Sequence, residues 1–152
     1  MLIHLDADRK EQSLVERYYL WDRAISVIKA KPLTGTGINT YAVAHQRYDT
    51  TKNWRVRNYY AHNGYLQLAA ETGLPGLFLF LAFLIYQFVW SYRRLAQKKA
   101  AGEVTGYWIP LGLLTSMAGF LVFAFVDTVL HNEQSAMTFW YLAGLQSAYL
   151  SL

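Results

Sequence analysis

His62 stands directly before a run, residues 63–72, that contains no breaker after its opening Asn63-Gly64 and therefore predicts a helix starting near Asn63. At the positive end of that helix's dipole a second positive charge is disfavoured, so the imidazole is placed to accept a proton rather than to carry one. Arg17 precedes Trp21 by one helical turn, which lets the indole lie along the arginine stem and fix where the guanidinium points. Arg55 and Arg57 fall in a polar stretch, 49–58, close in sequence to His62. Asp127 and His131 are spaced to share one face of a helix near the end of an apolar run, where an ionisable pair marks a functional site or an interfacial cap. Glu71 has the chemistry of an acid or base, but its position suits it better to bonding backbone or a base at a membrane edge. The chain has no cysteine, which removes thiol nucleophiles and disulfides, and its histidines at 4, 45, 62 and 131 lack the short spacings of a metal site, so no metal or other cofactor is expected.

The elements that must hold these groups are helical. Ser13-Leu14-Val15-Glu16 has the form of a capping box, so a helix is expected to begin there, after a polar lead-in over residues 1–12. Leu14, Tyr18, Trp21, Ile25 and Ile28 recur at spacings of three and four and give that helix an apolar stripe for a membrane or for further helices. Lys31-Pro32, then Gly35 and Gly37, end it, and a short helix follows over 39–48. Gly73 suits the end of the helix after His62, and Pro75 suits the first turn of the next.

The chain is 54% hydrophobic and 16% aromatic, and its charges leave three uncharged windows at 72–92, 104–126 and 134–152. Each is long enough to cross a hydrocarbon core of ~30 Å at ~1.5 Å per residue. The run Leu77-Phe78-Leu79-Phe80-Leu81-Ala82-Phe83-Leu84-Ile85 is apolar all round, as lipid rather than water requires. The expected architecture is thus an all-α, polytopic membrane fragment: a helical loop region over 1–73, then a membrane domain over 74–152 with spans near 74–92, 107–130 and 136–152. Four bases within residues 93–103 place that connection in the cytoplasm by the positive-inside rule and the 1–73 region outside it. A net charge of +4 is dispersed and carries no nucleic-acid-binding motif, so anionic lipid or phosphate partners fit and nucleic acid does not.

Read together, Arg17-Tyr18-Tyr19-Leu20-Trp21-Asp22-Arg23-Ala24, Pro32-Leu33-Thr34-Gly35-Thr36-Gly37 with Tyr41 following, Ala61-His62-Asn63-Gly64-Tyr65-Leu66-Gln67, Glu71-Thr72-Gly73 and Gly76 resemble the O-antigen ligase and polymerase family of membrane glycosyltransferases. The order and spacing match the family's large periplasmic loop and the helix after it. Pro75 stands where the ligase signature often has threonine, a departure that bears on ligase against polymerase. The resemblance implies transfer of a glycan from an undecaprenyl-diphosphate carrier to an acceptor such as lipid A core, a growing polysaccharide or protein. The setting it implies is the outer face of a bacterial cytoplasmic membrane, and no metal or nucleotide sugar takes part. It places the family's loop histidine at His62 and the arginine of its Arg-x-x-x-Trp element at Arg17. Arg55 and Arg57, close in sequence to His62, are candidates to hold the same diphosphate or anionic lipid headgroups, and Asn63 and Tyr65, next to His62, are further candidate substrate-binding residues.

Breaking a sugar-diphosphate bond puts negative charge on the leaving group, which a fixed guanidinium offsets. An imidazole near the acceptor hydroxyl serves as general base in an inverting displacement, or positions that hydroxyl by hydrogen bonding. Family members carry more spans than three, so upstream transmembrane helices are expected partners and this segment alone is expected to be inactive. The alternative reading is a non-catalytic membrane module that binds a lipid-linked glycan.

Overall fold

The computed structural model describes residues 2–48, 60–102 and 104–151. Its first helix, α1, runs Leu2–Ala30 and so begins well before the expected start at Ser13. The reason is local: residues 2–12 hold neither glycine nor proline and are rich in Leu, Ala, Arg, Lys, Glu and Gln, which propagate a helix rather than cap one. The chain continues through α2 (Tyr41–Ala44), a 3-10 turn (His45–Tyr48), α3 (Gly64–Ala100), α4 (Val104–Phe123) and α5 (Glu133–Ser151). It divides into two compact units, one of residues 1–77 with 126–128 and the other of 78–125 with 129–152.

In the first unit α1 presents two apolar faces. Leu20, Ala24 and Val27 are buried, and Ala24 and Val27 form a core with Tyr41, Ala61 and Ala70. Val15, Tyr18 and Ile25, by contrast, are exposed. The small alanines at 24, 61 and 70 let backbones approach, and the Tyr41 ring fills the space between them. Its hydroxyl donates to the carbonyl of Leu20 at 2.8 Å. Burial pushes this hydroxyl well above the usual phenol range, with Arg23 pulling weakly the other way. A raised folded value means that the stability from keeping the proton is present below about pH 10 and is lost as pH climbs past it. Tyr41→Phe is expected to cost about 1 kcal/mol, the worth of one buried hydrogen bond, and to flatten that alkaline loss. Thermal unfolding in detergent at pH 7 and pH 11 measures both effects.

The glycine-rich segment after α1 acts as a cap on the first part of α3. The amides of Thr36 and Gly37 donate to the carbonyls of Ala70 and Glu71 at 3.0 and 2.9 Å, and the amide of Leu74 donates to Pro32 at 2.7 Å. The first two bonds satisfy carbonyls that the end of a helix segment leaves open, and the third satisfies an amide at the start of the next. Gly73 breaks the helix at φ 76°, ψ 174°, and the chain resumes helix through Pro75, whose missing amide costs nothing in a first turn. Gly35 sits at φ 62° in direct backbone contact with Glu71, where a Cβ would lie 2.3 Å from the Glu71 carbonyl. The Glu71 side chain is buried with its oxygens bonded to the amides of Asn39 (2.8 Å) and Tyr41 (3.1 Å), so it fastens this loop to α3.

The second unit packs Leu84 of α3, Met117 of α4 and Phe139 and Ala143 of α5 into one apolar cluster, with the Phe120 and Phe139 rings 5.3 Å apart. Gln87 donates to the Ser147 hydroxyl at 2.9 Å, a polar link between α3 and α5 of the kind that joins helices in lipid. Among the described residues two helices are long and apolar enough to cross a membrane: α3, and Gly106–Phe123 of α4. The expected third, α5, has the length but not the apolarity. It is uncharged after Glu133, yet Gln134, Ser135, Thr138, Gln146, Ser147 and Ser151 interrupt it, and lack of charge is not the same as hydrophobicity. The expected second span to residue 130 also ends sooner, since α4 stops at Phe123.

Candidate active site

His62 is the last residue before the cap of α3. Asn63 is that cap: its Oδ1 accepts from the amides of Tyr65 and Leu66 at 3.1 and 3.0 Å. The oxygen of Asn63 is thereby committed to structure, and Tyr65 stands half-buried in the first turn. The His62 backbone adopts φ 47°, a left-handed conformation that few residues other than glycine take up and that costs about 1 kcal/mol or more. Three contacts hold it there. The Trp21 indole donates to the His62 carbonyl at 3.3 Å, the amide of Gly64 donates to the carbonyl of Asp127 at 3.1 Å, and the Ala61 amide donates to the buried Gln67 side chain at 3.2 Å.

Asp127 is the residue that sequence reasoning placed wrongly. It was expected one turn from His131 on a continuous helix, but α4 has ended and residues 124–132 form turns, so the two share no helical face. Instead Asp127 Oδ1 lies 3.4 Å from Nδ1 of His62, and the same oxygen accepts from the amide of Thr128 at 2.7 Å. Next to it, the carbonyl of Val126 accepts from Nη1 of Arg17 at 3.0 Å. The short segment 126–128 thus gathers Arg17 and His62 at one place in the first unit.

The Arg17-x-x-x-Trp21 spacing now has a structural meaning. One helical turn sets the guanidinium on Val126 and the indole on the His62 backbone, so a single face of α1 registers both groups. Among the described residues its bond to Val126 uses one of the guanidinium's five donors, and a guanidinium fork is suited to an anion. The His62 side chain is 30% exposed and that of Asp127 41%, so both are open to a ligand. A histidine with a carboxylate beside Nδ1 can use Nε2 to take a proton from a hydroxyl. Arg55 and Arg57 lie outside the described residues. Glu71 takes no part in this site, because its oxygens are held by backbone amides at the other end of the helix segment.

A family model described as O-antigen ligase matches residues 2–81, the stretch that contains Arg17, Trp21, the glycine-rich cap and His62. The chain belongs to the O-antigen ligase family. The exopolysaccharide production protein ExoQ of Rhizobium meliloti (strain 1021) is 31% identical to it over 96 residues, which is 60% of this chain and 22% of that relative. The chain therefore spans about a fifth of the length of the curated relative it matches. No solved structure matches it. The O-antigen ligase family is membrane-integral, and two apolar helices among the described residues accord with that. In this O-antigen ligase family member Asp127 lies beyond the matched residues.

Proposed function

We propose that this chain carries the catalytic loop of a glycosyltransferase that moves a glycan from undecaprenyl diphosphate to an acceptor, at the outer face of the bacterial cytoplasmic membrane. The observation that carries the reading is the meeting of Arg17 and His62 on residues 126–127. In this reading the acceptor hydroxyl attacks the anomeric carbon from the face opposite the diphosphate. The new C–O bond forms as the old one breaks, the electron pair leaves with undecaprenyl diphosphate, and the hydroxyl proton passes to Nε2 of His62. The product has inverted configuration. Arg17 meets the charge that grows on the diphosphate, the task for which a planar fork is better suited than an ammonium. Arg55 and Arg57 are assigned a supporting part, holding the same anion or lipid headgroups, and Tyr65 lines the acceptor side. The second unit would anchor the site through α3, α4 and α5 as membrane spans, with helices from the rest of the protein completing the lipid groove. The acceptor is lipid A core, a growing polysaccharide or protein.

Asp127 holds the imidazole with Nδ1 inward. Asp127→Asn keeps the size of the side chain and the bond to Thr128 but lets the ring turn, and misorientation of a catalytic group costs up to about 10²-fold. Transfer of a labelled glycan by the intact protein in nanodiscs should fall by roughly 10- to 10²-fold in kcat with KM for the donor unchanged. Unchanged kcat would remove Asp127 from the site.

A further inference from the structure

At the opposite end of the same helix segment the first unit holds a second site. A cavity of about 380 Å³ is lined by, among others, Lys31, Thr36, Asn39, Thr40, Arg47 and Tyr48. That volume is within the usual range of ligand clefts. Among the described residues neither Lys31 nor Arg47 has a carboxylate partner, so none of those residues neutralises the two cations that line this one concavity. Its wall is rigid where it matters. Thr40 donates to the Thr36 hydroxyl at 2.8 Å, Thr36 donates to the carbonyl of Ala70 at 3.3 Å, and the Asn39 amide is fastened to Glu71.

We propose that this cavity binds a negatively charged saccharide, taking its carboxylate between Lys31 and Arg47 and its hydroxyls on Thr36, Asn39 and Thr40. A bare phosphate or lipid headgroup needs the cations alone. Thr36, Asn39 and Thr40 stand beside Val43, Ala44 and Tyr48, and this mixture of hydrogen-bonding groups and apolar faces matches the hydroxyls and C–H faces of a sugar ring instead. The inference rests on the glycan-transfer reading and extends it to substrate class. Residues 63 to 70 separate the two sites along one helix, about 10 Å at ~1.5 Å per residue, a distance that an extended oligosaccharide bridges. The acceptor chain would have its reactive hydroxyl at His62 and an acidic sugar further along held in the cavity.

The test uses the intact protein in phosphatidylcholine nanodiscs, without donor, and ligand-observed NMR titration. Tetragalacturonate is the probe, maltotetraose its neutral counterpart and sn-glycerol 3-phosphate the soluble headgroup analogue. Tetragalacturonate should bind at least about tenfold more tightly than maltotetraose, Arg47→Glu should weaken it by about tenfold or more, and Arg47→Lys should retain most of the affinity. His62→Asn, which removes the base but keeps a hydrogen-bonding side chain at the far end of the ligand, should change tetragalacturonate binding far less than Arg47→Glu does while abolishing transfer, so failure of the cavity and failure of the catalytic assignment give different results. Equal binding of the neutral sugar, indifference to Arg47→Glu, or binding of glycerol phosphate without tetragalacturonate would each overturn the proposal.

Discussion

Replacing His62 with alanine in the intact protein is expected to lower transfer by about 10²- to 10⁴-fold, the usual worth of a positioned general base. The protein should still reach the membrane, since the fastening of this turn runs through the backbone carbonyl of His62, the amide of Gly64 and the side chain of Asn63, none of which the substitution removes. Alanine is less at ease than histidine at a φ of 47°, so a stability loss of about 1 kcal/mol accompanies it. His62→Asn separates the two effects, because asparagine tolerates the left-handed conformation and cannot serve as the base. Both variants should make as little polysaccharide as each other while accumulating to different levels. Full-length polymer from His62→Asn would mean that His62 is a backbone device and not the base.

Gly35→Ala should have the largest effect on stability. The new methyl would lie 2.3 Å from both the carbonyl carbon and oxygen of Glu71 and 2.6 Å from the amide of Gly73, all backbone atoms that cannot swing aside. The left-handed penalty of about 1–2 kcal/mol adds to an overpacking cost of about 1–3 kcal/mol, giving roughly 2–5 kcal/mol. Such a loss is a large part of what holds an ordinary domain together. It would also release the cap on Ala70 and Glu71, so the variant should be scarce in membranes and inactive for that reason. Gly112→Ala is the matched control, since nothing lies within 4 Å of its added methyl and alanine favours a helix. A Gly35→Ala protein with normal abundance and melting temperature would contradict the packing described around α3.

The parts of this arrangement that local chemistry decides were legible in the sequence. Pro32, Gly35, Gly37 and Gly73 punctuate the chain where turns occur, and Asn63-Gly64 opens the helix next to His62. The pairing of Arg17 with His62 was also legible, though through a motif resemblance rather than through geometry. What the sequence hid was tertiary. Asp127 and His62 are 65 positions apart, and only folding sets the carboxylate beside the imidazole. The misreading of Asp127 as helical came from the absence of glycine or proline between Phe123 and His131. A weaker sign was present, since Val126, Thr128 and Val129 are β-branched and form helix poorly, with an aspartate among them able to bond its neighbour's amide. Gln67 was hidden for a different reason. In the sequence it is one glutamine in an amphipathic run, yet Asn63, Gln67 and Glu71 recur every fourth residue and are all buried, a polar ladder tying helix to loop. In α5 the two signals part, since the segment carries no charge after Glu133 yet is interrupted by polar residues, and a count of charges does not weigh those.

The central claim is a division of labour, with Arg17 holding the diphosphate and His62 taking the acceptor's proton. The measurement that tests it most directly is equilibrium binding of an undecaprenyl-diphosphate-linked glycan to the intact protein in nanodiscs, compared for wild type, Arg17→Lys and His62→Asn. The account predicts donor affinity about tenfold or more weaker in Arg17→Lys and unchanged in His62→Asn, with transfer lost in both. Wild-type donor affinity in Arg17→Lys, or its loss in His62→Asn alone, would contradict it.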